Sequence, residues 1–223
     1  MNLLAIETSS PVLSVAIKKS GGRLRHAMVQ GYMKHAENLI PVIDRLLKKE
    51  KMEIGNIDAF LISRGPGSFT GLRIGFATLK GFLAIHPKPC YGASSLDVIA
   101  AGIKGYQNLA VCLDARRGKL YTRSYCSHGK RWLPSGPPRV VSIDEMISGL
   151  PAGSWITGDG VTKLAAKDLA VVPEKNWSPR AATLIRLFEM QDPLLKKLTR
   201  PKEFLPVYLR SSEAEEKLKG DRH

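Results

Sequence analysis

The chain has 223 residues, 43% hydrophobic and 24% charged, the composition of a folded globular protein and not of a disordered one. Thirty-four Lys and Arg against twenty Asp and Glu give a net charge of +14, a field that favours polyanions such as RNA but equally suits a dispersed solubility charge. Cys90, Cys112 and Cys126 show no C-x-x-C spacing, so neither a disulfide framework nor a structural zinc site is indicated and a reducing compartment is expected.

Three short apolar runs open the chain, Leu3–Glu7, Val12–Lys18 and Leu24–Gln30, separated by Thr8-Ser9-Ser10-Pro11 and by Gly21-Gly22. They predict an antiparallel meander. Glu7 cuts the first run too early for a signal peptide, and no stretch reaches the roughly 18 apolar residues of a membrane span, so a cytoplasmic protein without membrane contact is expected. Two helices follow, with a strand at 59–63 between them. The first, over 35–51, is apolar at Ala36, Leu39, Ile40, Ile43, Leu46 and Leu47; the second, over 69–85, at Leu72, Phe76, Leu79 and Leu83. Pro41 either kinks the first helix or marks its true first turn.

Near 102–107 the pattern restarts. Strands are predicted at 109–114 and 120–126, a loop at 135–138, a short strand at 155–158, and a helix over 179–190 with Pro179 in its first turn. The expectation is a mixed α/β chain of two units, 1–105 and 106–212, with a frayed tail of mixed charge at 213–223.

Several short constellations bear on chemistry. Glu7-Thr8-Ser9-Ser10 places a carboxylate at a strand end and hydroxyls in the turn after it, which suits a phosphate or a hydrated metal ion, or simply a self-satisfied polar turn. The run from Arg64 to Arg73 leads glycines from a strand into a helix N-terminus, where Ser68 or Thr70 can cap and an anion can sit; with no Gly-Lys-Ser/Thr it is not a P-loop. Gly71, Gly75 and Thr78 share one helix face and admit a close backbone, either from the first helix or from a partner's. The stripe Leu39, Ile40, Ile43, Leu46 and Leu47 serves a core or a subunit interface. Arg116, Arg117, Lys119, Arg123, Lys130 and Arg131, interleaved with Tyr121 and Tyr125, suit phosphate contact and base stacking, or line the solvated face of a strand. The five histidines include no pair at i and i+4, which excludes a helical two-His metal site, and no H-E-x-x-H, G-x-S-x-G or G-x-G-x-x-G occurs.

Together, Ile6-Glu7-Thr8-Ser9, His35-Ala36-Glu37-Asn38-Leu39-Ile40-Pro41, the stretch from Gly65 to Gly75, and Ser94-Ser95-Leu96-Asp97 resemble the TsaB family, formerly called YeaZ. In the second half, the stretch from Leu113 to Gly118, Gly158-Asp159-Gly160 and the stretch from Pro206 to Arg210 add to the resemblance. It implies an actin-like ATPase (ASKHA, RNase H-like) fold of two related domains, and a paralogue of the catalytic subunit TsaD. It also implies a subunit that is not itself the catalyst and carries no cofactor or metal: the paired histidines that bind metal in TsaD fall near Ser95 and Ile99, leaving Glu7, Thr8, Ser9 and Ser10 as a vestigial phosphate loop. The resemblance assigns the first two helices to pairing with TsaD, through His35, Leu39, Ile43, Leu46, Gly71, Leu72, Gly75, Thr78 and Leu79, or to a homodimer when the chain is alone. TsaE would be a further partner and tRNA the substrate of the complex, with Arg116, Arg117, Lys119 and Arg123 as candidate RNA contacts. Two other readings stay open: a phosphotransferase or peptidase using Glu7, and a stand-alone RNA-binding protein.

Overall fold

The computed structural model describes residues 1–31, 34–164 and 169–210; the tail at 213–223 lies outside them. Strands β1 (Leu3–Glu7), β2 (Val12–Lys18) and β3 (Leu24–Gln30) form the expected meander, followed by α1 (His35–Lys49), β4 (Ala59–Ser63) and α2 (Phe69–Ile85). α1 runs through Pro41, whose ring lies on the exposed side, so the Glu37 carbonyl that loses its donor faces water. Next come β5 (Cys90–Ala93), α3 (Ser95–Ala101), β6 (Asn108–Asp114), β7 (Lys119–His128), β8 (Arg131–Pro134), β9 (Arg139–Ser142), α4 (Ile143–Ser148), β10 (Ser154–Thr157), α5 (Ala181–Glu189) and β11 (Lys196–Leu198). Arg180 is the N-cap of α5, so Pro179 precedes the helix and is not in its first turn. Among the described residues no helix is long and apolar enough to cross a membrane.

The strands make two sheets, ordered β11-β5-β4-β1-β2-β3 and β10-β6-β7-β8, with β9 also paired to β7. In the first, β1 is antiparallel to β2 (Ile6 opposite Val15) and parallel to β4 (Ile6 opposite Ile62). In the second, β6 is antiparallel to β7 (Cys112 opposite Thr122) and parallel to β10 (Ile156 opposite Ala110). Both sheets therefore repeat one unit, a hairpin whose first strand gains a parallel neighbour through a crossover.

β1 reads as a continuous apolar run because both of its faces are covered. Leu4 and Ile6 pack with Leu39 and Ile43 of α1 and Phe76 and Leu79 of α2, while Leu3 and Ala5 pack with Leu184 and Ile185 of α5. α5 and β11, far along the chain, thus complete the layers and the edge of the first sheet. α3 lies between the two halves: Leu96 and Ile99 join Leu109, Val111 and Tyr125 of the second sheet, and Val98 joins the α5 cluster. The other face of the second sheet packs Ala110, Cys112 and Ile156 against Met146 of α4.

Candidate functional site: a sealed turn and an outward helix face

The turn between β1 and β2 is closed to solvent. Glu7, Thr8, Ser9 and Ser10 are 0%, 1%, 3% and 6% exposed, so none of the four presents a side chain to a ligand from bulk water. Glu7 Oε1 accepts from the Ser9 N–H at 2.6 Å and from Ser9 Oγ at 2.5 Å, an acceptor arrangement that folds the turn onto its own strand. Burial pushes the Glu7 carboxyl up from its ordinary value; Ser63 and Ser9 oppose the shift without cancelling it. Glu7 Oε2 and Ser63 Oγ are buried and each lacks a hydrogen-bond partner.

α2 supplies the cover. The Ser68 N–H donates to the Ser9 carbonyl at 2.8 Å, and Ser68 Oγ caps the helix by accepting from Gly71 N at 3.2 Å. A Cβ at Gly67 would overlap the Ser9 carbonyl oxygen, one at Gly71 the Thr8 carbonyl oxygen, and one at Gly75 the Thr8 hydroxyl. The backbone admitted by the Gly71/Gly75 face is thus the 7–10 turn, and neither the first helix nor a partner's helix. α1 closes the turn from the other side, where buried His35 places Nε2 2.9 Å from the Ser10 carbonyl.

The residues expected to meet a partner are placed inward. Leu39, Ile43, Leu46, Leu72 and Leu79 are 0–4% exposed, His35, Gly71 and Gly75 are buried, and Thr78 is half-buried. Apart from Thr78, their surface is covered within the chain, which reassigns them to its interior. The outward side of the two helices carries a different set: Ile40 is 48% and Ile85 75% exposed, and a groove of about 800 Å³ runs along Ile40, Leu47, Met52, Ile54 and Phe82. Ile85 falls out of phase with Leu72, Phe76, Leu79 and Leu83, a signal present in the sequence.

The basic stretch also divides. Arg116, Arg117 and Lys119 are exposed at the β6–β7 turn, where Arg116, Arg117 and Gly118 all take positive φ. Arg123 is turned inward instead, donating from Nη1 to Asp97 Oδ1 at 2.7 Å and from Nε to the Gly136 carbonyl at 2.7 Å, which removes it from an RNA-facing set. Tyr121 and Tyr125 are 5% and 1% exposed and cannot stack on bases; the Tyr125 hydroxyl donates to the same Asp97 oxygen at 2.7 Å. This network ties α3 to β7. Ser95, 0% exposed, donates its N–H to the Gly65 carbonyl at 2.9 Å, and Ile99 packs in the second core.

Two sheets that repeat one hairpin-plus-crossover unit, with the first hairpin turn set against a glycine-rich helix entry, define a protein of the actin-like ATPase fold. The family described as "TsaD: tRNA N6-adenosine threonylcarbamoyltransferase" matches residues 31–174. The chain belongs to the TsaB (YeaZ) family within this group. It is 30% identical to the "tRNA threonylcarbamoyladenosine biosynthesis protein TsaB" of Escherichia coli over 70% of each chain. It is 26% identical to the protein of the same description from Haemophilus influenzae, over 99% of this chain and 98% of the relative. Among solved structures, YeaZ from Pseudomonas aeruginosa superposes with a TM-score of 0.80 at 25% identity, covering 93% of this chain and 99% of that one.

Proposed function

We propose that this chain is a non-catalytic accessory subunit in the formation of threonylcarbamoyladenosine in tRNA, with the transfer chemistry carried by a TsaD partner. The observation that carries this reading is the sealed turn: the 7–10 segment, patterned like a phosphate loop, has its carboxylate 0% exposed and its backbone covered by α2. Burial pushes the Glu7 carboxyl toward its neutral form, and its Oε1 is already taken by the Ser9 N–H and hydroxyl. Ser95 and Ile99, at the positions of the TsaD histidines, offer a buried hydroxyl and an alkyl group, neither of which replaces imidazole as a metal ligand.

The partner surface in this reading is the outward side of α1 and α2, where Ile40, Ile85 and the groove beside Phe82 leave apolar area uncovered. The same surface would pair two copies when TsaD is absent. TsaE completes the assembly in the cytoplasm, and tRNA approaches the exposed cations Arg116, Arg117 and Lys119. The test is nucleoside mass spectrometry of cells depleted of the protein, complemented with wild type or with Ile40→Glu. Loss of threonylcarbamoyladenosine, restored by wild type and less by the variant, is expected; an unchanged level on depletion overturns the proposal.

A further inference from the structure

A second cavity, of about 350 Å³, opens where the carboxyl ends of β4 and β5 meet β8 and the segment 193–209. Its walls are largely apolar, with Pro66, Trp132, Pro134 and Leu194 among them. Arg64 reaches it by laying its stem across Gly92, where a Cβ would stand 2.6 Å from Arg64 Cδ; only glycine leaves that path open. The guanidinium Nε is buried and has no hydrogen-bond partner, and burial works against its charge by lowering its pKa.

Neither nearby carboxylate is hydrogen-bonded to it; Glu203 acts on it through its charge alone, which works to raise the Arg64 pKa against burial. Asp97, on the cavity wall, is held by Arg123 and Tyr125 at 2.7 Å each, and Glu203 is held by Arg200 at 2.9 Å and by the Thr199 N–H at 2.7 Å. Among the described residues the cavity wall carries one ion pair, Asp97 with Arg123, and two cations outside it, the half-buried Arg64, whose Nε is sealed, and the exposed Lys196. A buried donor without an acceptor costs free energy, and the Arg64 Nε is such a donor. Ser94 Oγ, also on the wall, is a second buried polar atom without a partner.

We propose that this cavity binds a small monoanionic carboxylate with a compact apolar body, its carboxylate on the Arg64 fork and its body against Trp132 and Leu194. The planar guanidinium offers two parallel N–H groups to a carboxylate, and Ser94 adds a hydroxyl donor. The planar fork and the apolar walls match a carboxylate with an apolar body; a phosphate dianion would bring a second negative charge against Asp97. The site stands apart from the α1–α2 surface and is independent of the accessory role.

The full chain is titrated with phenylacetate, with phenylacetamide as its neutral counterpart and with inorganic phosphate, reading the indole N–H resonance of Trp132 against Trp155 and Trp177. Saturable binding of phenylacetate at the Trp132 resonance is expected, weaker by about tenfold or more for phenylacetamide, for phosphate and in Arg64→Gln. Arg64→Lys keeps the charge without the fork and is expected to fall between, with circular dichroism reporting the fold of both variants. Absence of saturable phenylacetate binding, or binding matched by phenylacetamide or phosphate, or unchanged in a folded Arg64→Gln, overturns the proposal.

Discussion

The carbonyl oxygen of Thr8 lies so close against Gly71 that a Cβ there would overlap it, and one turn further along α2 the Thr8 hydroxyl stands in the same relation to Gly75. One residue of the β1–β2 turn thus explains two glycines in a helix interior, each of which costs about 1 kcal/mol relative to alanine. The atoms met differ in kind, backbone at Gly71 and side chain at Gly75.

That difference is testable by double substitution. Gly71→Ala and Gly75→Ala are each expected to destabilise the chain, by about 1–3 kcal/mol for an overpacked site. Thr8→Ala removes the hydroxyl, and the Thr8 Cβ lies 3.5 Å from a Cβ at position 75, an ordinary contact. Thr8→Ala should therefore rescue most of Gly75→Ala and none of Gly71→Ala, measured by urea denaturation as a coupling energy.

Glu7 gives a pH prediction. Its native carboxyl is raised above the ordinary value of 4.5, so the native state holds the proton more tightly than the unfolded chain. The stability this contributes is whole below about pH 4.5 and is lost as pH rises through the native value, because the buried group must then ionise. Glu7→Gln keeps an acceptor for Ser9 and adds an N–H that can donate to the unpartnered Ser63 Oγ. Thermal melts should show the variant gaining on wild type at pH 8, by about 1–3 kcal/mol, and gaining less at pH 4.5. A catalytic acid would instead be revealed by loss of modified tRNA in cells that carry only Glu7→Gln; none is expected.

Asp97 supports a third prediction. One of its oxygens accepts from both Arg123 and Tyr125, and removal of the carboxylate leaves a largely buried guanidinium and a buried phenol without their acceptor. Asp97→Ala should cost about 3–5 kcal/mol, the range for breaking one side of a buried pair. Tyr125→Phe removes one hydrogen bond and should cost about 1 kcal/mol.

Much of the fold was legible because its first half is written in unbroken periods: β1 to β3, β4 and α2 match the predicted runs. β5 and α3 span four and seven residues, too short for a period to emerge, and their burial comes from neighbours far along the chain. The site was legible as motifs but not as roles. A stripe such as Leu39, Ile43 and Leu46 has the same pattern whether it covers a sheet or a partner, and only the sheet's position separates the two. Arg64 stands at the head of a candidate anion-binding run, but the lack of an acceptor at its Nε has no local signal, since it depends on Asp97 and Glu203 being held by other residues.

The division between inward and outward sides of α1 and α2 yields the sharpest test of partner binding. Ile43 is 2% exposed and packs against β1, so Ile43→Glu buries an unpaired carboxylate and should unfold the first unit, whatever the partner does. Ile40, one helical turn before it and 48% exposed, loses little intramolecular packing as Glu, and the same holds for Ile85 at 75%. Ile40→Glu and Ile85→Glu should leave the melting midpoint within about 0.5 kcal/mol of wild type in stability terms. If the outward face pairs with TsaD, each should weaken co-purification, with a carboxylate placed in an apolar contact costing about 2 kcal/mol or more, roughly thirtyfold in affinity. Full retention of TsaD by both folded variants would move the partner surface elsewhere on the molecule.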